Sequence, residues 1–346
     1  MSEFEKLTKE LKDSKLPLVV YGAGNVAEYA DTYLKKYNID FEGYVVDREY
    51  LPNKREYRGK PLFALDDYLK RGKCNVLSAA ARLSDERLGQ LNREDNINKV
   101  YLIDYESCFY IEEPLSEEQT KRLSWLCGEM SDETSRQHLE AFIHQIQTFE
   151  YGKPISVNSK HFDSDILRFS EDEIYVDCGA YTGDTVLGFI EALKHAGISS
   201  YKKIYAFECD TNSLPKLKAN TAGLSNVEII PKGLYTKTGT ARFSNSGGEL
   251  SIVGEGNVSI EITTLDEFIG DGECTFIKAN FEGSSKSIMG AENVIKRCRP
   301  KLAIGCYVPA EHLITIPGFI KELIPDYKLY FRNYSPFGGG GVLYAI

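Results

Sequence analysis

Short apolar runs alternate with amphipathic stretches along most of the chain, a pattern typical of proteins in which parallel strands alternate with helices. In the N-terminal part the apolar runs occupy residues 16–21, 41–46, 75–78 and 99–103, and helical patterns occupy 26–37, 65–70 and 85–91. Because each strand-like run is followed by a helical pattern, we predict a small parallel α/β domain over residues 1–112.

A second series of apolar runs fills the C-terminal half, at residues 174–177, 204–208, 227–230, 275–280, 302–307, 327–332 and 342–346. About seven strands are what a complete nucleotide-binding sheet needs. Between the two series, a polar stretch carries apolar residues at helical spacing, which indicates two bridging helices. The predicted fold is therefore α/β, with the small N-terminal domain, a helical linker over residues 113–152 and a Rossmann-like seven-stranded domain over residues 153–346.

Composition narrows the possible partners. A length of 346 residues is enough for two cores, and a net charge of −10 disfavours nucleic acid as a partner. The chain has neither a signal-peptide pattern nor an apolar run of about 18 residues, so we expect a cytoplasmic protein without a membrane partner. The eight cysteines form no C-x-x-C pair and are interpreted as small buried hydrophobic residues rather than metal ligands or disulfides.

The first glycine turn follows the first strand. Gly22, Gly24 and Asn25 precede a helix, and Asp47 ends the next strand, which is the dinucleotide pattern of close phosphate approach and an acid for a ribose hydroxyl. An equally weighted alternative is a small Rossmann-like domain that holds no cofactor. The stretch resembles the nucleotide-sugar-binding domain of bacterial sugar acetyltransferases at residues 22–25, 43–47 and 59–61.

The second glycine turn lies between residues 177 and 184. Asp177 ends a strand, Gly179 and Gly183 follow, and Glu208 ends the next strand. Glycines let a backbone approach a ligand closely, one acid can accept from a ligand ammonium group, and the other can accept from ribose hydroxyls. This arrangement favours S-adenosylmethionine as the cofactor, although acids that merely cap the strand ends would give the same pattern.

Several short motifs resemble the FkbM family of methyltransferases. They are residues 176–185, 206–208, 264–266, 277–278, 282–283, 290–291 and 301–303. The resemblance implies a class I methyltransferase that transfers a methyl group to a hydroxyl of a carbohydrate, nucleotide sugar or secondary metabolite, with a small-molecule or glycan acceptor. The cofactor-binding residues it implies are Asp177, Gly179, Tyr181, Gly183, Asp184, Glu208, Cys209 and Gly233.

The chain departs from this family at acidic and imidazole positions. Asn280 and Ser285 stand where the family has acids, Val308 and Asn333 stand where it has histidines, and glycine stands for an acid within residues 338–341. Losing these groups makes a family-type metal site less probable, and we expect none. It also supports an alternative function, that of a catalytically impaired member that binds a nucleotide or a glycan.

Methyl transfer to a hydroxyl needs a group that takes the proton, which an asparagine amide cannot do. Glu282 is the first candidate for this base, with Lys278 and Asn280 beside it in the catalytic segment. Further candidates are Asp266, His161 and His312, although a lone histidine in a polar stretch is more typical of a surface. Lys278 is expected to orient a substrate or a carboxylate. Tyr307, Arg332 and Tyr334 are expected either to recognise sugar hydroxyls or phosphate or to pack.

A nicotinamide-dependent oxidoreductase that uses the first glycine turn is the least favoured of the functions considered, because no catalytic Tyr-Lys or Cys/His arrangement is evident.

Overall fold

The chain forms two compact units in a computed structural model that describes residues 3–80, 83–102, 115–148, 156–243, 258–280, 284–306, 312–335 and 340–346. Unit 1 comprises Met1–Pro114 and Ile146–Glu150, and unit 2 comprises Leu115–Gln145 and Tyr151–Ile346. The described residues include no helix that is both long and apolar enough to cross a membrane.

The described part of unit 1 contains a six-stranded sheet in the order β3-β4-β2-β1-β5-β6. All neighbours are parallel except the hairpin of β3 and β4. The strands are β1 (Leu18–Tyr21), β2 (Gly43–Val46), β3 (Glu56–Tyr57), β4 (Lys60–Ala64), β5 (Cys74–Ser78) and β6 (Ile97–Leu102), and the helices are α1 (Glu3–Asp13), α2 (Asn25–Lys36), α3 (Leu65–Leu69) and α4 (Asp85–Leu91), with a 3-10 turn at Arg48–Tyr50. The predicted parallel α/β character is confirmed, whereas α1 and the short hairpin were not predicted.

The described part of unit 2 is built on a seven-stranded sheet in the order β15-β16-β14-β13-β7-β8-β9. Only β16 runs antiparallel, against both β14 and β15. The strands are β7 (Ile174–Cys178), β8 (Lys203–Phe207), β9 (Val227–Ile230), β13 (Phe276–Ala279), β14 (Lys301–Gly305), β15 (Leu329–Asn333) and β16 (Gly341–Ala345). All seven coincide with the apolar runs, so the predicted fold class is confirmed.

Helices and a smaller sheet complete unit 2. The small sheet has the order β10-β12-β11 and was not predicted. Its strands are β10 (Gly233–Leu234), β11 (Gly239–Phe243) and β12 (Val258–Thr263), and the helices are α5 (Glu117–Glu129), α6 (Glu133–Thr148), α7 (Asp184–His195), α8 (Leu214–Thr221), α9 (Leu265–Ile269), α10 (Ser284–Met289), α11 (Glu292–Cys298) and α12 (His312–Leu323).

One face of the large sheet carries an aromatic core under α7. Phe189 of α7 and Phe162, Tyr175 and Phe276 are each at most 4% exposed, and their rings contact one another. Large aromatic rings bury much apolar area and pack in defined orientations. This core therefore holds α7 firmly, and with it the turn that precedes the helix.

The helical segment between the two predicted domains is anchored within unit 2. Arg332 of β15 donates to both carboxylate oxygens of Asp132, at 3.2 and 2.9 Å, and to Ser135 Oγ at 2.6 Å. The backbone N–H of Asn333 donates to His138 Nδ1 at 3.1 Å, and the rings of Phe142 and Phe331 are 5.4 Å apart. The N-terminal part of α6 thus packs along β15.

Candidate active site

A glycine turn joins β7 to α7 at the C-terminal edge of the large sheet. The backbone N–H groups of Gly179 and Ala180 both donate to the carbonyl of Phe207, at 3.1 and 2.8 Å. Gly179, Tyr181 and Gly183 have φ angles of 79°, 47° and 89°. The positive φ of Gly183 favours glycine there, and a Cβ would also make a tight contact of 3.1 Å with the Leu217 side chain.

Glu208 lies across this turn, directly after β8. Its Oε2 accepts from the backbone N–H of Tyr181 at 2.8 Å, and its Oε1 accepts from that of Asp210 at 2.7 Å. Burial raises the pKa of Glu208, and the backbone donors oppose this rise. A carboxylate has about four lone-pair positions, so acceptor capacity remains beyond the backbone donors. The side chain is therefore held in place and can still accept from a ligand.

Asp177 and Lys278 face each other on neighbouring strands, since β13 pairs with β7 in this register. Lys278 Nζ donates to Asp177 Oδ1 at 2.9 Å, and Thr185 Oγ1 donates to Asp177 Oδ2 at 2.5 Å. Burial raises the pKa of Asp177, and the ammonium group of Lys278 opposes this rise. Of the two roles expected for Lys278, the structure therefore has it orienting a carboxylate. Asp177 accepts from these internal donors, and its role as a cofactor-binding residue stays a prediction.

The remaining cofactor-binding candidates lie around the same turn. Asp184 is the exposed first residue of α7. Cys209 packs beside Ile260 and Ile262, and a Cβ on Gly233 would lie 3.2 Å from both isoleucines and 3.8 Å from Cys209 Sγ. Burial raises the pKa of Cys209 to about 12, so the residue is a neutral thiol at neutral pH. Cys209 and Gly233 thus meet in a small apolar wall next to Glu208.

Asn280 follows β13 and carries an unsatisfied acceptor. Its Oδ1 is buried, and no donor in the described part of the chain reaches it. A buried acceptor without a partner costs free energy unless a bound molecule supplies a donor. Glu282, the first candidate for the base, lies outside the described residues, as do Tyr307 and Val308, whereas Ser285 lies in α10.

Asp266 has a structural task at the start of a neighbouring helix. Its Oδ2 accepts from the backbone N–H of Asn293 at 3.0 Å, and its Oδ1 accepts from that of Val294 at 2.8 Å. These N–H groups lie in the first turn of α11, where no intrahelical acceptor is available to them. Asp266 therefore caps α11 from the neighbouring helix α9.

His161 and His312 are buried, so the expectation of surface histidines is wrong. Each is 3% exposed, and neither Nδ1 has a partner among the described residues. Burial, together with the ammonium groups of Lys160 and Lys278, lowers the pKa of His161 well below its usual range. Burial lowers the pKa of His312 to about 4. Both imidazoles are therefore neutral at neutral pH and can accept a proton or a hydrogen bond at Nδ1.

The buried His312 predicts acid sensitivity. Because its folded-state pKa is depressed, it contributes stability above its unfolded pKa of about 6.5, and this is lost as the pH falls towards 4. Between pH 7 and pH 5 the free energy of unfolding should fall by about 2 kcal/mol from this group. Urea unfolding of His312→Asn should show a smaller fall between these pH values than wild type. His195→Asn, at a side chain that is 80% exposed, is the control and should keep the wild-type difference; an unchanged difference in His312→Asn would refute the assignment.

Arg332, Asn333 and Tyr334 serve packing in this structure. Arg332 is 5% exposed and bound to Asp132, and Asn333 binds the helical segment through its backbone. Tyr334 Oη donates to Asp163 Oδ2 at 2.8 Å and lies 2.6 Å from Tyr344 Oη. Of their two expected roles, packing is therefore the one these contacts support. Gly340 and Gly341 close the turn into β16, whereas residues 338 and 339 lie outside the described part.

The first glycine turn in unit 1 is filled by internal contacts. Gly22 has a φ of 121°, and a Cβ on it would lie 2.6 Å from the carbonyl oxygen of Ala79. The carboxylate of Asp47 accepts from Tyr21 Oη at 2.6 Å and from Arg87. Tyr57 Oη donates to the carbonyl of Gly24 at 3.0 Å, and Asn25 begins α2. Close packing alone thus accounts for Gly22, and Asp47 already has two donors.

Within the described residues, no group of three or more His, Cys, Asp or Glu side chains could hold a metal ion. The seven described cysteines are free. The candidate site consists of the turn, the buried Asp177, the half-buried Glu208, Lys278, Asn280 and the neutral His161.

A family model matches the main part of unit 2. Residues 177–334 match the model of the methyltransferase FkbM domain. These residues include the glycine turn, Glu208, Lys278 and Asn280. The resemblance to the FkbM family is therefore confirmed over this range, whereas the resemblance of unit 1 to nucleotide-sugar-binding domains stays a prediction.

Comparison with solved structures gives matches that differ in coverage and TM-score. The FkbM methyltransferase from Methylobacillus flagellatus KT aligns over 100% of this chain and 94% of its own, with 21% identity and a TM-score of 0.67. An rRNA methylase from Streptococcus thermophilus covers 54% of this chain and 91% of its own, with 18% identity and a TM-score of 0.34. Fibrillarin from Aeropyrum pernix, solved with natively bound S-adenosyl-L-methionine, covers 51% of this chain and 67% of its own, with 12% identity and a TM-score of 0.32. No curated protein gives a significant match.

Proposed function

We propose that unit 2 binds S-adenosylmethionine and transfers its methyl group to a hydroxyl of a carbohydrate, nucleotide sugar or secondary metabolite. The observation that carries the proposal is the Glu208 carboxylate, which backbone donors fix across the glycine turn and which keeps acceptor capacity for a ligand. Ribose presents two neighbouring hydroxyl donors, and acids at this strand end bind them in other Rossmann-like sites. The match to the methyltransferase FkbM domain supports methyl transfer as the reaction type.

The residues around the turn fit the rest of this cofactor. The buried Oδ1 of Asn280 lacks a donor, and the methionine ammonium group would supply one. The apolar wall of Cys209, Ile260 and Ile262 lies next to Glu208 and would cover the adenine. When bound, S-adenosylmethionine supplies an electrophilic methyl group on a sulfonium. The chain supplies acceptors for its polar groups and a turn without side-chain obstruction.

The acceptor hydroxyl must lose its proton as its oxygen attacks the methyl carbon. Among the described residues, His161 and His312 offer a neutral imidazole Nδ1 for that proton. The Lys278 ammonium group contributes to the lowered pKa of His161, which indicates that His161 lies near the turn. With Asp266 occupied as a cap, these two histidines join Glu282 as the candidates for the base.

The direct test is titration calorimetry of the purified chain with S-adenosylmethionine, S-adenosylhomocysteine, NAD and a UDP-sugar. We expect the first two ligands to bind. Glu208→Gln should lower the affinity for both about 100-fold, because the neutral amide loses charge-assisted hydrogen bonds to ribose. Glu228→Gln is the matched control, since Glu228 is exposed on β9 and its carboxylate pairs with Lys203 at 2.8 Å. Binding of NAD or the UDP-sugar alone would overturn the proposal.

Once binding is established, transfer is tested with S-adenosylmethionine labelled in its methyl group and a panel of sugars, nucleotide sugars and hydroxylated metabolites. Appearance of the labelled methyl group in an acceptor supports the proposed methyltransferase activity. Cofactor binding without transfer to any hydroxyl in the panel would favour the impaired, binding-only alternative.

A further inference from the structure

A single buried ammonium group joins three parts of the proposed cofactor site. Lys278 Nζ donates to Asp177 Oδ1 at 2.9 Å, to the carbonyl of Gly179 at 3.0 Å and to Thr185 Oγ1 at 3.3 Å. These acceptors lie at the end of β7, in the turn and in the first turn of α7. Lys278 is 2% exposed and Asp177 is 0% exposed, so solvent does not compete for these bonds.

The turn needs such support because its backbone is strained. Tyr181 is a non-glycine residue at a φ of 47°, and it lies between two glycines that also have positive φ angles. A residue holds such a conformation only when its surroundings impose it. Glu208 fixes one side of the turn through the N–H of Tyr181, and Lys278 fixes the other side through the carbonyl of Gly179.

Stability alone gives little reason for this pair. Taking two charges out of water costs free energy that their attraction only partly returns, so a buried ion pair is weak evidence for stabilisation. The chain has a second pair of this kind at the opposite edge of the sheet, where Lys301 Nζ lies 2.6 Å from Glu173 Oε1. That pair contacts strand beginnings and no glycine turn, so it serves as an internal comparison.

We propose that Lys278 is a positioning residue that shapes the methionine side of the turn, while Glu208 serves the ribose side. The inference rests on the proposed function and deepens it. Lys278 does not contact the ligand; it holds Asp177, Gly179 and Thr185 so that the turn accommodates the amino-acid part of S-adenosylmethionine. Its loss should therefore affect only ligands that carry that part.

The test compares two ligands by calorimetry. S-adenosylhomocysteine carries the amino-acid part, and 5′-methylthioadenosine lacks it but keeps the ribose and adenine. For Lys278→Met we expect the affinity for S-adenosylhomocysteine to fall by about 30-fold, because the turn loses its charge-assisted support. The affinity for 5′-methylthioadenosine should change less than about threefold. Lys301→Met is the matched control and should leave both affinities unchanged.

Because Lys278→Met leaves Asp177 buried without its cation, the variant can fail to fold. Asp177→Asn combined with Lys278→Met removes both charges, and it should fold and show the same split between the two ligands. An equal loss for both ligands, or no loss for either, overturns the role of Lys278 while leaving the proposed function intact. Failure of the wild-type chain to bind either ligand overturns the proposed function, and this inference with it.

Discussion

Replacing Phe189 with alanine is expected to lower the free energy of unfolding of unit 2 by about 4 kcal/mol. The side chain is 0% exposed, and its ring centroid lies 4.6 Å from that of Tyr175 and 5.4 Å from that of Phe169. Truncation removes the buried area and leaves a cavity that rigid aromatic neighbours on the sheet cannot fill. A loss of this size is a large part of the stability of an ordinary domain.

The measurement is urea unfolding followed by the fluorescence of Trp125, which is the one tryptophan of the chain and lies on α5 in unit 2. Leu187→Ala is the matched control, because Leu187 lies two residues away on the same helix but is 41% exposed. We expect the control substitution to lower the free energy of unfolding by less than about 1 kcal/mol. Equal losses in the two variants would show that α7 does not depend on the aromatic core.

The strands of the large sheet could be predicted because parallel strands buried on both faces are continuous apolar runs. The turn at Gly179 and Gly183 could also be predicted, since two glycines between a strand and a helix are a local signal. The small sheet of β10, β11 and β12 gave a weaker signal. Its strands alternate in burial, as in the run from Val258 to Thr263, and one of them has only the residues Gly233 and Leu234.

The partners of the candidate site residues could not be predicted from the sequence. Lys278 meets Asp177 across 101 positions of the chain only because β13 pairs with β7 in that register. The sequence places an acid and a lysine at strand ends, but strand order and register decide whether they face a ligand or each other. The ion pair of Asp177 with Lys278 could therefore not be predicted from the strand-end position of either residue.

Some motif residues of the family resemblance have structural tasks. Asp266 caps α11, and its backbone N–H donates to the carbonyl of Gly290 at 3.0 Å, so two separate motifs meet at one joint. A capping acid and a catalytic acid are alike in sequence, because both follow a strand and precede a helix. His161 and His312 show the converse, since polar neighbours in the sequence concealed their burial.

The same joint gives the second large effect, that of Gly290→Ala. Gly290 is buried between α10 and α11, and a Cβ on it would lie 2.1 Å from the carbonyl oxygen of Tyr235. The obstructing atom belongs to the backbone and cannot rotate away, so either the α10–α11 joint or the chain after β10 must move. We expect the free energy of unfolding to fall by about 3 kcal/mol, measured by urea unfolding with Trp125 fluorescence.

Gly128→Ala is the control. Gly128 is exposed on α5, and the added Cβ would have no neighbouring atom within 4 Å outside its own helix backbone. Because alanine favours a helix more than glycine does, the free energy of unfolding should rise by about 0.5 kcal/mol. If Gly290→Ala is as stable as wild type, then the joint is loose enough to accommodate a methyl group, and the capping contact of Asp266 does not require close approach at Gly290.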